Sequence, residues 1–94
     1  MNMYILDTRY DNSKTFYGKA HIITHNNGDI ELQSYSTIVA RIQRREGHAT
    51  TLEVYGYYSQ TTARHINEFA QQHGFKKMTK KEMENDILKL KGGN

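Results

Sequence analysis

The chain has 94 residues, no cysteine and no proline, and it carries 13 Lys and Arg against 10 Asp and Glu. Without cysteine there is no disulfide framework, thiolate metal site or thiol nucleophile, and a reducing cytoplasm fits best. The apolar runs are far shorter than the roughly 20 residues of a membrane span, and no secretory signal is recognisable. We therefore expect one small cytoplasmic domain over residues 1–94, with no membrane partner.

Positive charge is concentrated in two parts of the chain, although the net charge is only +3. One cluster contains Arg41, Arg44 and Arg45, and the other begins at Lys76 and Lys77. Such clusters are compatible with a solvated surface and with a polyanion site, and both interpretations stay open. If the protein binds nucleic acid, we predict that these five side chains contact phosphates.

Four segments have the β-branched, aromatic and alternating patterns of strands, and polar turn residues separate them. They cover residues 3–8, 16–24, 30–44 and 50–58. Asn27-Gly28 predicts a type I′ hairpin turn between the second and third strands. In the third, Ser34 and Ser36 interrupt the apolar face, which predicts a bulge or bend, and Val39 lies on the polar side. That strand is predicted to turn at residues 46–48.

The main predicted helix covers residues 61–73 and follows several hydroxyl residues that can cap its N-terminus. Ile66, Phe69 and Ala70 recur at helical spacing and predict the face that packs on the sheet. Gly74, followed by an apolar residue, predicts a Schellman stop.

A second helix is predicted to begin after Thr79 and to run to about residue 90. Thr79 and Glu82 have capping-box spacing, and Met78 and Met83 can form a hydrophobic staple. The predicted fold is thus α+β: a four-stranded antiparallel meander with the main helix on one face and a second, C-terminal helix. The last residues, 91–94, are expected to fray.

None of the five histidines has the spacing of a metal site, so we predict no metal and no cofactor. His65 beside Arg64, with Tyr57 and Tyr58 near the helix start, supplies the residue types of a small metal-independent ribonuclease. No spacing fixes these groups around one phosphate, and we assign no catalytic residue.

The polar face of the predicted sheet carries rings and a cation that could contact a partner. If the alternation holds, this face presents Tyr35, Thr37, Arg41, Tyr55 and Tyr57. Such a layout suits a protein interface or base stacking, and it is equally typical of a plain solvated sheet face. Both interpretations stay open, and a homodimer through this face is compatible with the first.

Two segments resemble a family of small uncharacterised proteins from phages, plasmids and other mobile elements of Gram-positive bacteria. They are LQSYSTIVA at residues 32–40 and YYSQTTARHINEF at residues 57–69. The family pattern is a Ser-Tyr-x-Thr-x-Val-Ala strand followed by a Ser-x-Thr-Thr-x-Arg-His-Ile-x-Glu-Phe helix. The resemblance covers about two thirds of the chain and implies an origin in mobile-element biology, without an assigned reaction.

The function predicted first is non-enzymatic binding of a host protein or nucleoprotein. By analogy with other small mobile-element proteins, this includes an anti-defence inhibitor of the anti-CRISPR kind acting on a host nuclease. A DNA- or RNA-binding regulator is the alternative, and a small ribonuclease ranks third. Because direct binding to a polyanion weakens steeply with salt, salt dependence separates the first two classes.

Overall fold

The computed structural model describes residues 1–44, 47, 49–84 and 88–91, the last of these by backbone alone. In chain order the elements are β1 (Asn2–Ile5), β2 (Ala20–Thr24), β3 (Ile30–Ser34), β4 (Thr37–Gln43), β5 (Thr51–Val54), α1 (Gln60–Gln72), α2 (Lys80–Glu84) and β6 (Leu88–Lys91). The described strands form one antiparallel meander in the order β1-β2-β3-β4-β5-β6. The α+β class is confirmed, but five strands precede the helices where four were predicted.

The additional strand arises because the segment predicted as one long strand, residues 30–44, is a hairpin. Tyr35 and Ser36 form its two-residue turn, and Ser34 pairs with Thr37 across it. Tyr35 has the positive φ of 57° that such a turn requires. The bend expected at this point is therefore a complete reversal of the chain.

A β-bulge in this hairpin explains why the alternation of the sequence gave no sign of the turn. Gln33 pairs with Ile38, whereas Leu32 pairs with Ala40, so Val39 is an extra residue in β4. The tight turn shifts the side-chain parity by one residue, and the bulge shifts it back. Val39 and Ala40 are consequently both buried, although Val39 was expected on the polar side.

The first two strands are shorter than predicted, because the chain between them forms a long connection. β1 ends at Ile5 and β2 begins only at Ala20. The residues before β2 form a turn, in which the Lys19 amide donates a hydrogen bond to the Phe16 carbonyl at 3.0 Å. The predicted strand residues 16–19 thus become a loop.

The hairpin between β2 and β3 is confirmed, but its turn is not of type I′. The His25 amide donates to the Asp29 carbonyl at 2.9 Å, and the Gly28 amide donates to the His25 carbonyl at 3.1 Å. Gly28 has a φ of 96°, whereas Asn27 has no positive φ. A Cβ at Gly28 would lie 3.1 Å from the Arg44 carbonyl oxygen, so strain and space both favour glycine here.

α1 covers one sheet face, as the apolar stripe predicted. The Ser59 hydroxyl accepts a hydrogen bond from the Thr62 amide at 3.1 Å and caps its N-terminus. Its C-terminus is the predicted Schellman motif, in which the Phe75 and Gly74 amides donate to carbonyls of the last turn. The core beneath includes Ile22, Leu32, Ala40, Ile42, Leu52, Val54, Ile66, Phe69 and Ala70.

The second helix is only Lys80–Glu84, and the prediction that it continues to about residue 90 is wrong. Its capping box is present, because the Thr79 amide donates to Glu82 Oε1 at 2.9 Å and the Glu82 amide to Thr79 Oγ1 at 3.2 Å. Leu88–Lys91 instead forms β6 and pairs with β5. The open edge of β5 offers unpaired backbone groups, and pairing there prevails over the helical pattern. The predicted segment 85–87 lies outside the described residues.

Among the described residues, no helix combines the length and hydropathy needed to cross a membrane.

Candidate functional site

The three tyrosines expected on one polar face lie in different environments. Tyr35 is in the β3–β4 turn, with its ring 5.9 Å from that of His65 on α1. Tyr55 is on the sheet face away from α1, which we call the open face, where burial raises its pKa. Tyr57 packs against the core, with the Lys80 ammonium 4.9 Å from its ring centre. The alternation fails because β5 ends at Val54. Thr37 is exposed at the start of β4.

Two of the predicted phosphate contacts already have acidic partners. The Arg41 guanidinium lies 3.1 Å from Glu53, which raises the Arg41 pKa. The Lys76 ammonium lies 3.6 Å from a carboxylate oxygen of Glu82. The Arg44 and Lys77 side chains are exposed. Arg45, the fifth predicted contact, lies outside the described residues, as do two of the three residues predicted to form the turn at 46–48.

The open face is rich in carboxylates around Arg41. In register, Glu31 and Glu53 flank Arg41 on the neighbouring strands, and His25 Nε2 lies 2.5 Å from Glu31 Oε1. A cavity of about 230 Å³ here is also lined by Asp29. A polyanion would meet three carboxylates at this surface, so the open face is a poor phosphate site.

A different surface, on the side of the sheet that carries α1, combines rings with cations. It is a cavity of about 360 Å³ between the turn before β2, the β3–β4 turn and the first residues of α1. We call it the aromatic cleft and define it by Phe16, Tyr17, Lys19, Tyr35, Arg64 and His65. Ser13, Thr15 and Thr61 complete its wall, so no described lining residue carries a carboxylate.

Both tyrosines of the aromatic cleft have a backbone conformation that bulky residues rarely adopt. Tyr17 has a φ of 54° and Tyr35 a φ of 57°, and within the described ranges no other non-glycine residue has a positive φ. Such a conformation costs about 1–3 kcal/mol at each residue. The two rings are also among the exposed apolar groups, at 78% for Tyr17 and 51% for Tyr35. Backbone strain of this kind clusters at functional sites.

His65 forms the floor of the aromatic cleft and is 1% exposed. Its Nδ1 lies 2.8 Å from the Ser34 hydroxyl, which is 2.9 Å from the Thr62 hydroxyl. The Phe16 ring meets the imidazole edge to face at 4.5 Å. Burial, followed by the charge of Arg64, lowers the pKa of His65 to about 4. The ring is therefore neutral at physiological pH, and its Nε2 has no hydrogen-bond partner among the described residues.

The rim of the cleft is tied to α1 through Arg64. Its Nε and Nη2 donate to the two carboxylate oxygens of Asp11 at 3.1 and 2.6 Å, and Nη2 also contacts the Ser13 hydroxyl. This pairing lowers the pKa of Asp11 to about 2. A fork of two parallel hydrogen bonds fixes the guanidinium plane at the edge of the cleft.

A buried carboxylate on α1 binds the backbone of residues 9–11, in the connection between β1 and β2. Glu68 is 1% exposed, and its Oε1 accepts hydrogen bonds from the backbone amides of Arg9, Tyr10 and Asp11 at 3.0, 2.8 and 2.8 Å. Three converging amides form a concave site for negative charge, and here the protein's own carboxylate fills it. The loop before the cleft is thus packed against the helix.

Sequence reasoning singled out Arg64, His65 and Tyr35 but not their grouping, and it missed Phe16, Tyr17 and Lys19. The available signal was Tyr17-Gly18, because glycine beside an aromatic residue between strands is typical of a turn. No group of three metal-binding side chains occurs in the part of the chain that the structure describes.

The comparisons with known proteins identify a family but not an activity. No curated protein and no solved structure matches the chain significantly. A family of unknown function, DUF8033, matches residues 4–85. This agrees with the expectation of an uncharacterised family, whereas the expected phage or mobile-element origin stays a prediction. The protein is therefore a member of the DUF8033 family of unknown function.

Proposed function

We propose that the protein binds single-stranded nucleic acid without catalysing a reaction on it, and that the aromatic cleft receives a base. The observation that carries this proposal is the position of Tyr17 and Tyr35, whose exposed rings flank a cavity that is also lined by Lys19 and by Arg64, the latter already paired with Asp11. This proposal develops the alternative, stated from the sequence, of a DNA- or RNA-binding protein. It assigns the contact surface to the aromatic cleft and not to the open face.

Electrostatics distinguish the aromatic cleft from two other cavities in the described part of the chain. The cavity on the open face contains Asp29 and Glu31, and a third, beside the cleft, contains Asp11 and Glu68. Both of these cavities contain basic residues as well, but of the three only the aromatic cleft has no carboxylate in its described lining. Lys19 has no acidic partner among the described residues, so its ammonium is available for a phosphate.

The rings supply the second requirement of single-strand binding. Bases stack on aromatic side chains, and by alanine substitution such stacking contributes about 1–3 kcal/mol per base. Tyr17 and Tyr35 are held by adjoining turns, because the Tyr35 amide donates to the Lys19 carbonyl at 2.7 Å. Because the backbone of both residues is held, only their side-chain torsions must be ordered when a ligand binds.

The floor of the cleft supplies a polar group for the edge of a base. A neutral imidazole carries either an N–H or a lone pair at Nε2, and the direction of the Thr62–Ser34–His65 hydrogen bonds decides which. Such a group suits the edge of a base, but His65 is 1% exposed, so a base reaches Nε2 only when the side chains above it move aside.

The same geometry supports binding rather than hydrolysis. General acid–base catalysis near neutral pH works best with a pKa near the operating pH, and that of His65 is about 4. Its Nδ1 is occupied by the buried Ser34 hydroxyl. These two facts weigh against the ribonuclease hypothesis.

The test is fluorescence anisotropy with labelled single-stranded DNA, single-stranded RNA and duplex DNA. We expect the single strands to bind more tightly than the duplex, and Tyr17→Ala and Tyr35→Ala each to weaken binding about 5- to 150-fold. Tyr58→Ala is the matched control, since Tyr58 is 47% exposed and lies outside the cleft. Equal affinities of the cleft variants and the control would refute the proposal.

Charge reversals separate the aromatic cleft from the basic clusters that the sequence singled out. We expect Lys19→Glu to weaken binding and to reduce the slope of log affinity against log salt by about one. Arg44→Glu and Lys76→Glu are expected to change binding less. A larger loss of affinity in Arg44→Glu and Lys76→Glu than in Lys19→Glu would instead assign the phosphate contacts to the two basic clusters.

The hypothesis of a host protein or nucleoprotein as partner, including an anti-defence role, stays a prediction. In a binding assay with a candidate host nuclease, the same Tyr17 and Tyr35 variants would show whether the cleft also serves a protein partner.

A further inference from the structure

The outer edge of the sheet at β1 is apolar and open. Within β1, Met3 is 56%, Tyr4 52% and Ile5 58% exposed, and the strand Asn2–Ile5 contains no charged residue. Exposed sheet edges are usually protected by lysine, proline, a bulge or a covering segment. β1 contains none of the first three, and no described residue covers it.

The hydrogen-bond phase of β1 shows which backbone groups face outward. The Leu6 amide donates to the Ala20 carbonyl at 3.0 Å, which makes these two residues a hydrogen-bonded pair of the antiparallel ladder. Such pairs alternate along the strands, so Tyr4 bonds inward to Ile22. The N–H and C=O groups of Met3 and Ile5 consequently point away from the sheet.

We propose that the β1 edge pairs with β1 of a second copy of this chain, in antiparallel orientation, with the two-fold axis at Tyr4. In this register Met3 lies opposite Ile5 of the second copy, and Ile5 opposite its Met3. Two hydrogen-bonded pairs then form, and every outward N–H and C=O of the two residues finds a partner. The same patch contacts itself, as a two-fold dimer requires.

The side chains of β1 also favour a second copy of this chain as the pairing partner. Met3 and Ile5 project from one face of the sheet and meet their counterparts across the junction. The two Tyr4 rings face each other on the opposite face, as a directly opposed pair. Because the strand carries no charge, two positively charged copies meet no local repulsion along it. A heterologous strand would need a matching apolar pattern, whereas this strand matches itself.

Mass measurement tests the association. In sedimentation equilibrium from about 5 µM to about 500 µM protein, we expect the average mass to rise from 11.0 kDa toward twice that value. Ile5→Lys places a charge on the edge and is expected to weaken dimerisation at least about tenfold, while Tyr58→Lys leaves it unchanged. A wild-type chain that stays monomeric over this range would overturn the proposal.

Cysteine variants test the register, because the chain contains no cysteine of its own. Tyr4→Cys places the two thiols of a dimer directly opposite each other, so mild oxidation is expected to cross-link the copies. Met3→Cys places them about 9 Å apart between Cα atoms, beyond the roughly 7 Å that a disulfide tolerates. We therefore expect Tyr4→Cys to cross-link at least about tenfold faster than Met3→Cys and Tyr10→Cys. Equal rates, or a faster reaction of Met3→Cys, would overturn it.

Discussion

The backbone amide of Tyr35 donates a 2.7 Å hydrogen bond to the carbonyl of Lys19, and this contact joins the two turns that form the aromatic cleft. Each turn holds a tyrosine with positive φ, Tyr17 in one and Tyr35 in the other. Because the turns share a hydrogen bond, a change in one is transmitted to the other. The backbone positions of the two tyrosines are therefore linked, and the Tyr35 ring also lies 5.9 Å from that of His65.

We expect Tyr35→Asn to stabilise the protein while it removes binding. Asparagine adopts positive φ at lower cost than a bulky residue, and the Tyr35 ring is half exposed, so little buried area is lost. The expected gain in the free energy of unfolding is up to about 1 kcal/mol, measured by urea denaturation. Tyr58→Asn, at a position without positive φ, is the control. A greater loss of stability in Tyr35→Asn than in this control would contradict the strain argument.

Glu68→Ala is expected to release the loop before the cleft. The substitution leaves the amides of Arg9, Tyr10 and Asp11 without their shared acceptor, at a cost of about 3 kcal/mol. Hydrogen exchange of these three amides should accelerate more than that of the core strands. Gln71→Ala, on the same helix, is the control and should leave this exchange unchanged. Undisturbed protection in Glu68→Ala would show that other contacts hold the loop.

Stability should fall as the pH drops from about 6.5 to about 4, in part because of His65. Burial lowers the pKa of this imidazole from 6.5 to about 4, so in that range the unfolded chain takes up a proton that the folded chain does not. The contribution is fully present above pH 6.5 and is lost at up to about 1.4 kcal/mol per pH unit. Thermal denaturation of His65→Gln should show a flatter dependence over this range.

The pH profile has two further contributions with known direction. Burial also lowers the pKa of His73, so His73→Gln should flatten the pH dependence of stability over the same range. Asp11, with a pKa of about 2, contributes stability above its ordinary value of 3.8 that is lost as the pH falls below it. Identical slopes in the wild type and His65→Gln between pH 6.5 and 4 would contradict the role of His65.

Phe69→Ala tests the packing of α1 on the sheet. Phe69 is fully buried at the centre of the core, and truncation to alanine at such a site costs about 3–5 kcal/mol. The expected result is a large decrease in Tm with unchanged far-UV circular dichroism below the transition. Ala63→Gly on the same helix removes only one partly buried methyl group and about 1 kcal/mol of helix propensity, so its cost should be well below that of Phe69→Ala. A Tm unchanged by Phe69→Ala would refute this packing.

Local rules were sufficient for α1 and its ends. The stripe of Ile66, Phe69 and Ala70 determines which side of the helix is buried, and Gly74-Phe75 determines where it stops. Each signal acts over a few residues, so no distant contact is needed to decide it. The capping box at Thr79 and Glu82 was recognisable for the same reason.

The β3–β4 hairpin was hidden because two local deviations cancel. A two-residue turn at Tyr35 and the bulge at Val39 each shift the side-chain parity by one, and the remaining alternation looks like one long strand. The cost of positive φ at Tyr35 also opposes a turn there when the sequence is considered alone. The tertiary structure overcomes that cost through the pairing of both strands and the hydrogen bond to Lys19.

The sequence by itself determined the α+β class, the main helix and its caps, the buried face of the sheet and the basic balance of charge. These follow from periodicity and capping, which operate between near neighbours along the chain. Only the tertiary structure decided the number of strands and the grouping of Tyr17, Tyr35 and His65. It also decided that Leu88–Lys91 is a strand and not the end of the predicted second helix. These depend on contacts between residues far apart in sequence, such as Tyr35 with His65, for which no local pattern carries a signal.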